Sequence, residues 1–354
     1  MADPLVTVIV PAWNAERTLD ETLRSVASQT YGNLEILIVD DGSTDATAAI
    51  AAKFRAREQR ARLISTENGG VAAARNRAIS EARGEWIAPI DADDLWHPTK
   101  IEKQVASALS HAERPGFVYC WHRLIDLDGR VTGSGPRWVL NGRAFNQLAY
   151  LNVVENGSAL LMRTDAVREV GGYDASLRAR NAQGCEDVMI QLQIARRYSI
   201  AAVGEYLVGH RRHGDNMSGD FEQMVRSWRL VYARMSNDRG MARSVVRWVD
   251  GKSALDIAER RAVEGRFLDM LRHLAIAMLR DPVRSCGILA NRTLRSVRRR
   301  LSRRRQGQSP RFADIDPKAE LRGDPYEVRG FSRLVDRLNA ARLRRLSVLD
   351  SAQA

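Results

Sequence analysis

The sequence predicts an α/β fold built on a mostly parallel sheet, and three observations carry the prediction. Short apolar runs recur at Leu5–Val10, Leu34–Val39, Arg62–Ser65 and Glu85–Ile90, helix-length segments separate them, and polar clusters sit at the runs' C-terminal ends. Leu5–Val10 is continuous, rich in β-branched residues and stopped by Pro11, as expected of a strand buried on both faces. Residues 15–28 place Leu19, Leu23 and Val26 on one helical face. Leu34–Val39 runs into Asp40-Asp41-Gly42-Ser43, which opens a helix near 45–57, so the first two strands form a βαβ unit and pair in parallel. Gly70–Glu81 reads as the next helix, and Glu85–Ile90 ends at Asp91-Ala92-Asp93-Asp94. A helix near 98–111, strand signals at 117–126 and 158–163, an amphipathic segment at 185–197 and an apolar run at 200–208 follow.

The chain has 354 residues, enough for one large domain and a smaller one. Its net charge of +12 is unevenly placed: residues 1–219 carry 25 basic and 27 acidic side chains, residues 220–354 carry 30 and 16. The expected division is therefore a catalytic α/β domain at 1–219 and a helical, Arg-rich region at 220–354, the part suited to an anionic surface. In that region Phe267, Met270, Leu271, Leu274 and Met278 read as one helical stripe, ended by Asp281-Pro282. Residues 292–305 hold eight arginines and no acid. Three widely spaced cysteines make neither a metal pair nor a disulfide framework, and no window approaches 18 apolar residues, so a cytoplasmic location is expected.

Ligands of open α/β sheets bind at the strands' carboxyl ends, where the polar clusters fall. Asp91 and Asp93 stand two residues apart at a strand end; a hard divalent cation held by carboxylates and substrate phosphates uses such a pair, and so does a plain helix-capping turn. Asp40-Asp41-Gly42-Ser43 suits either a tight turn or a ribose or base contact. Asn68-Gly69-Gly70 with Ala74-Arg75-Asn76 offers close backbone approach and a guanidinium for phosphate. Glu186-Asp187 at a helix start is either favourable N-terminal charge or a general base. His210-Arg211-Arg212-His213 suits a phosphate-and-metal site.

Taken in order, Val10-Pro11-Ala12-Trp13-Asn14, Val39-Asp40-Asp41-Gly42-Ser43-Thr44-Asp45, Asn68-Gly69-Gly70 with Ala74-Arg75-Asn76, Asp91-Ala92-Asp93-Asp94, Gly171-Gly172-Tyr173-Asp174, Glu186-Asp187 and Arg211-Arg212-His213 resemble the family 2 glycosyltransferases over roughly residues 5–219. The resemblance implies a GT-A fold and inverting transfer from a nucleoside-diphosphate sugar, with UDP favoured and Mg²⁺ or Mn²⁺ bound through the Asp-x-Asp motif. It places Pro11, Ala12, Asn14, Asp40, Asp41, Gly70, Arg75, Asp91, Ala92 and Arg212 at the donor. Asp93, Asp91 and His213 fall to the metal, and Asp187 with Glu186 to catalysis. The Gln-x-x-Arg-Trp element of processive synthases is missing after Glu186-Asp187, which favours single addition.

The acceptor implied is a glycan or a lipid-linked hydroxyl, in cell-surface polysaccharide or glycoconjugate synthesis. The basic region would then rest peripherally on the anionic inner face of the plasma membrane, at about 1 kcal/mol for each arginine near the surface; the plain alternative is a solvated helix face. Nucleic acid is not expected, because the arginine cluster has no interleaved aromatic residues for base stacking. A donor-binding protein without turnover and a nucleotidyltransferase are the rival readings. The latter is disfavoured because the first strand leads to Pro11-Ala12-Trp13-Asn14 and not to a glycine-rich, arginine-containing loop.

Overall fold

The computed structural model describes residues 3–214, 219–237, 240–290, 309–319 and 331–352. The arginine-rich 292–305 stretch lies outside the described residues. The first four strands, β1 (Val6–Ala12), β2 (Leu34–Asp41), β3 (Ala61–Thr66) and β4 (Trp86–Pro89), pair in parallel in the order β3-β2-β1-β4. Helices α1 (Leu19–Ala27), α2 (Thr47–Arg55) and α3 (Val71–Glu81) make the crossovers, as parallel pairing requires. Every residue of β1 and β2 is buried, the outcome that their unbroken apolar runs predict.

The second half of the sheet is mixed. After β5 (Leu95–Trp96) and α4 (Lys100–Leu109) come β6 (Phe117–Ile125), β7 (Val131–Ser134), α5 (Phe145–Tyr150), β8 (Leu160–Arg163), α6 (Thr164–Glu169), α7 (Ser176–Ala179), α8 (Glu186–Ala195) and β9 (Ile200–Arg211). The sheet continues β4-β8-β6-β9-β5, with β8 antiparallel to both neighbours, β9 parallel to β6, and β7 returning on β6 as a hairpin. β5 and β7 are too short and too polar at their borders to stand out in the sequence. Strand order reverses direction at β1 and β4, which opens a crevice beyond their carboxyl ends.

Two compact units make up the chain: residues 1–143, 152–231 and 309–320 form the first, and residues 144–151, 232–308 and 321–354 the second. The single boundary expected at residue 219 is crossed three times, because α5, the start of α9 (Phe221–Asn237) and the 309–320 segment each pack away from their neighbours in sequence. The first unit holds the sheet. In the second, α10 (Arg243–Val263) packs on α11 (Phe267–Arg280) through Ala254, Leu255 and Ala277. Residues 282–290 form α12, and α13 (Phe331–Ala352) supplies Arg342 to the Asp281 carboxylate and Asp350 to the Asn146 amide groups. Of the single stripe expected on α11, Leu274 packs against α10 beside Ile276, whereas Phe267 and Leu271 face solvent. Apart from the side that carries Asp269, Arg272, His273 and Arg280 the helix is apolar, and the position of α10 selects which part of that wide arc packs.

Candidate active site

At the ends of β1 and β2 the chain stitches two loops together. Pro11 and Ala12 lie in register with Val39 and Asp40. Asn14 has φ 47°, and its side-chain oxygen accepts from the Thr44 N–H at 2.8 Å while its own N–H donates to Ser43 Oγ at 3.1 Å. Asp40 accepts from the Ser43 N–H at 3.2 Å. The buried Asp41 carboxylate accepts from the N–H groups of both Gly69 and Gly70, each at 2.8 Å, and so holds the loop that starts α3. Gly42 has φ 69°, and a Cβ there would lie 2.8 Å from the Asn68 nitrogen. Gly42→Ala is accordingly expected to cost at least about 1 kcal/mol of unfolding free energy, measurable in urea.

The Asp91-Ala92-Asp93-Asp94 segment forms a turn at the end of β4. The Asp94 N–H donates to the Asp91 carbonyl at 3.0 Å, and Thr18, just before α1, and Thr22 within it donate their hydroxyls to the Ala92 carbonyl. Asp94, which the sequence reading left without a role, is the anchor of this turn. Its carboxylate accepts from Asn156 Nδ2 at 2.8 Å, Ser158 Oγ at 2.6 Å and the Arg211 N–H at 2.9 Å. Ser158 also accepts from the Asp91 N–H at 3.0 Å, and Trp96 donates its indole N–H to the Ser158 carbonyl at 2.9 Å. Sequence alone offered no signal for Ser158, since its partners lie more than 60 residues away. Ser158→Ala leaves the buried Asp94 one donor short and is expected to destabilise the protein by about 1–3 kcal/mol, read from the denaturation midpoint.

Arg75 of α3 and Asp187 of α8 come together beside this turn. The buried Arg75 donates to the Asp91 carboxylate and lies over the Tyr173 ring, 5.0 Å from its centroid. A Cβ on Gly157 would stand 3.5 Å from Arg75 Nη2 and 3.7 Å from Asp187 Cβ, so the three residues share one small space. Burial pushes the Asp187 carboxyl up to about 7, with Arg75 opposing and Glu186 reinforcing the shift. Glu186 is also raised by burial, but its carboxylate is turned back onto the Gly184 N–H at 2.7 Å. Both acids named for catalysis accept from backbone N–H groups at the start of α8, Glu186 from Gly184 and Asp187 from Val188 at 2.8 Å, and Asp187 also adjoins Arg75 and Gly157. Arg75 Nε and the Tyr173 hydroxyl are buried without a hydrogen-bond partner. Tyr173 was visible in the sequence only as part of Gly171-Gly172-Tyr173-Asp174; its backbone is held by both ends of the Asn76 carboxamide.

β9 delivers the last elements. Strand alternation turns Arg211 inward, fully buried, where it donates to the Asp93, Asp126 and Leu127 carbonyls and to the Glu21 carboxylate. Arg212 consequently points outward and is exposed. His213 Nε2 lies 3.0 Å from Asp93 Oδ2. Burial, then the neighbouring Asp94 and Asp91 charges, hold the Asp93 carboxyl well above the usual carboxylate range. Among the described residues no three His, Cys, Asp or Glu side chains form a metal cage. Asp91 is committed to Arg75, which leaves Asp93 and His213 as the donors that fit a hard cation whose other ligands are phosphate and water.

A parallel four-strand core extended by a mixed half-sheet and flanked by helices gives the chain an α/β fold of the GT-A type. Residues 7–171 match the family model described as Glycosyl transferase family 2. The chain is similar to an uncharacterised glycosyltransferase of Rickettsia typhi, with 30% identity over 178 residues, 49% of this chain and 55% of the relative. It therefore spans about half the length of the curated relatives it matches. S. aureus TarS 1-349 in complex with UDP-GlcNAc shares the fold at a TM-score of 0.55 and 19% identity, covering 79% of this chain and 82% of that one. The mannosyltransferase PcManGT from Pyrobaculum calidifontis, in complex with GDP-Man and Mn²⁺, does so at 0.58 and 19%, covering 84% and 81%. Among the described residues no helix is long and apolar enough to cross a membrane.

Proposed function

We propose that the protein transfers a sugar from a nucleoside-diphosphate donor, UDP-linked by preference, to a hydroxyl of a glycan or lipid-linked acceptor, with inversion at the anomeric carbon. The observation that carries this reading is the meeting of Asp187, with a carboxyl raised to about 7, and the Arg75–Asp91 pair around Gly157. Inversion is one in-line displacement, which needs a base on one face of the sugar and charge stabilisation at the leaving diphosphate on the other. The acceptor oxygen bonds to the anomeric carbon, the bond to the diphosphate oxygen breaks, and Asp187 takes the hydroxyl proton. Arg75, which opposes the rise of the Asp187 carboxyl, favours the ionised form that accepts the proton. Pro11, Ala12, Asn14, Asp40, Asp41 and Gly70 border the nucleotide end through their backbone, since the Asn14 and Asp41 side chains already hold the loops.

Mg²⁺ or Mn²⁺, held by Asp93 and His213, would supply Lewis-acid stabilisation of the diphosphate. The neighbours bound to UDP-GlcNAc and to GDP-Man with Mn²⁺ support a nucleotide-sugar donor and a metal. We further place the work in polysaccharide or glycoconjugate synthesis, with the basic 220–354 region peripheral at an anionic membrane face. A thermal-shift panel of UDP-, GDP- and dTDP-sugars, each with and without Mn²⁺, tests donor and metal together, because a ligand that binds the native state raises its melting point. A metal-dependent shift with one donor and release of nucleoside diphosphate is expected; no shift with any donor overturns the reading.

A further inference from the structure

Helix α11 carries two apolar faces, and the fold uses one. Ala277, Leu274 and Ile276 pack toward Ala254 and Leu255, joined by Ile288 and Leu289 of α12. On the opposite side Leu268 is 85% exposed, Leu271 54% and Leu279 83%, at a spacing that aligns them along the helix. Val283 of α12, 54% exposed, extends the row, and the exposed Cys286 follows one turn later. Lone surface leucines are ordinary, but a row of them over two consecutive helices is a surface that meets something.

The charge around the row says what. Arg272 emerges on the same face between Leu268 and Leu279, Arg280 stands beside Leu279, and both are exposed. The sequence that follows α12 holds eight arginines and no acid between 292 and 305. Leucines with interspersed arginines match a lipid interface, where side chains enter the acyl boundary and guanidinium groups meet phosphate. A second copy of the chain would bring cation against cation. We propose that the outward face of α11 and α12, Leu268, Leu271, Leu279 and Val283 with Arg272 and Arg280, docks on an anionic lipid bilayer. It deepens the transferase reading, on which it rests only for the use of the contact: bringing the site to a membrane-held acceptor.

Co-flotation of the full chain with vesicles of phosphatidylglycerol and phosphatidylcholine, or of phosphatidylcholine alone, is the test. Binding to the anionic vesicles only, weakened by salt, and at least about tenfold weaker in the Leu268→Gln/Leu279→Gln variant, is the expected result. The two leucines are exposed, so the variant should keep its melting point. A second readout needs no variant: an environment-sensitive fluorophore on Cys286, the other cysteines being buried, should brighten with anionic vesicles. Equal flotation of variant and wild type, with no change at Cys286, overturns the proposal. So does a dimer in light scattering that the variant abolishes while the wild type ignores vesicles. Donor-induced thermal shift on the same samples keeps the two readings apart, since flotation without any donor shift sinks the transferase alone.

Discussion

Asp187→Asn is expected to lower transfer by about 10²–10⁴-fold while the protein still folds and still shifts its melting point with donor. The substitution keeps the shape of the side chain and removes its ability to accept a proton. If Asp187 were only a favourable charge at the start of α8, its loss would cost about 1 kcal/mol of stability or less and spare the rate. The pH profile adds a second arm. A base must be ionised to act, so kcat/KM of the wild type should climb with pH up to about 7, the value to which burial raises Asp187. The variant's residual rate should be flat there.

Stability moves the opposite way. The folded state holds the Asp187 proton more tightly than the unfolded chain, where the carboxyl titrates near its ordinary 3.8, so this group's contribution is largest at low pH. It declines as pH rises from about 4 to about 7. Asp187→Asn, free of that cost, should melt above the wild type at pH 8 and by a smaller margin at pH 5, measured by calorimetry. A variant with full activity, or one that melts lower at pH 8, would contradict the assignment of a buried base.

Asp93→Ala is the second large effect. Transfer should fall by about 10²–10³-fold, and the part of the donor-induced thermal shift that depends on Mn²⁺ should vanish. Asp91, Asp93 and Asp94 crowd one turn, and the Asp93 and Asp94 carboxyls are held above their ordinary range first by burial. Removing Asp93 relieves repulsion, so the metal-free variant should melt no lower than the wild type, as is usual when a functional charge cluster is weakened. Chelation of the wild type with EDTA should reproduce the activity loss; full activity in EDTA would refute the metal role of Asp93 and His213.

Much of the first unit was legible because β1, β2 and β4 are buried on both faces and polar clusters follow their ends. Leu5–Val10 and Leu34–Val39 could be read directly as β1 and β2, and the acidic cluster at 91–94 could be read as the turn that follows β4. The roles inside that turn were less legible. Asp91 and Asp93 look equivalent in sequence, but Arg75 takes one and His213 the other. Arg211 and Arg212 look interchangeable too, and strand parity buries the first and exposes the second. Ser158 and Asn156 carry no motif, because what makes them matter is Asp94, which lies 64 and 62 residues away.

The sequence by itself determined the α/β class, the polar clusters at the strand ends and the concentration of positive charge beyond residue 219. These depend on periodicity and composition, which are local. Tertiary structure decided that Asp187 meets Arg75 at Gly157, that Glu186 and Asp41 spend their carboxylates on backbone N–H groups, and that α11 hides Leu274 while showing Leu268, Leu271 and Leu279. The reason is physical: a carboxylate's function depends on which donors reach it, and a helix with a wide apolar arc buries only the part of it against which a neighbour packs.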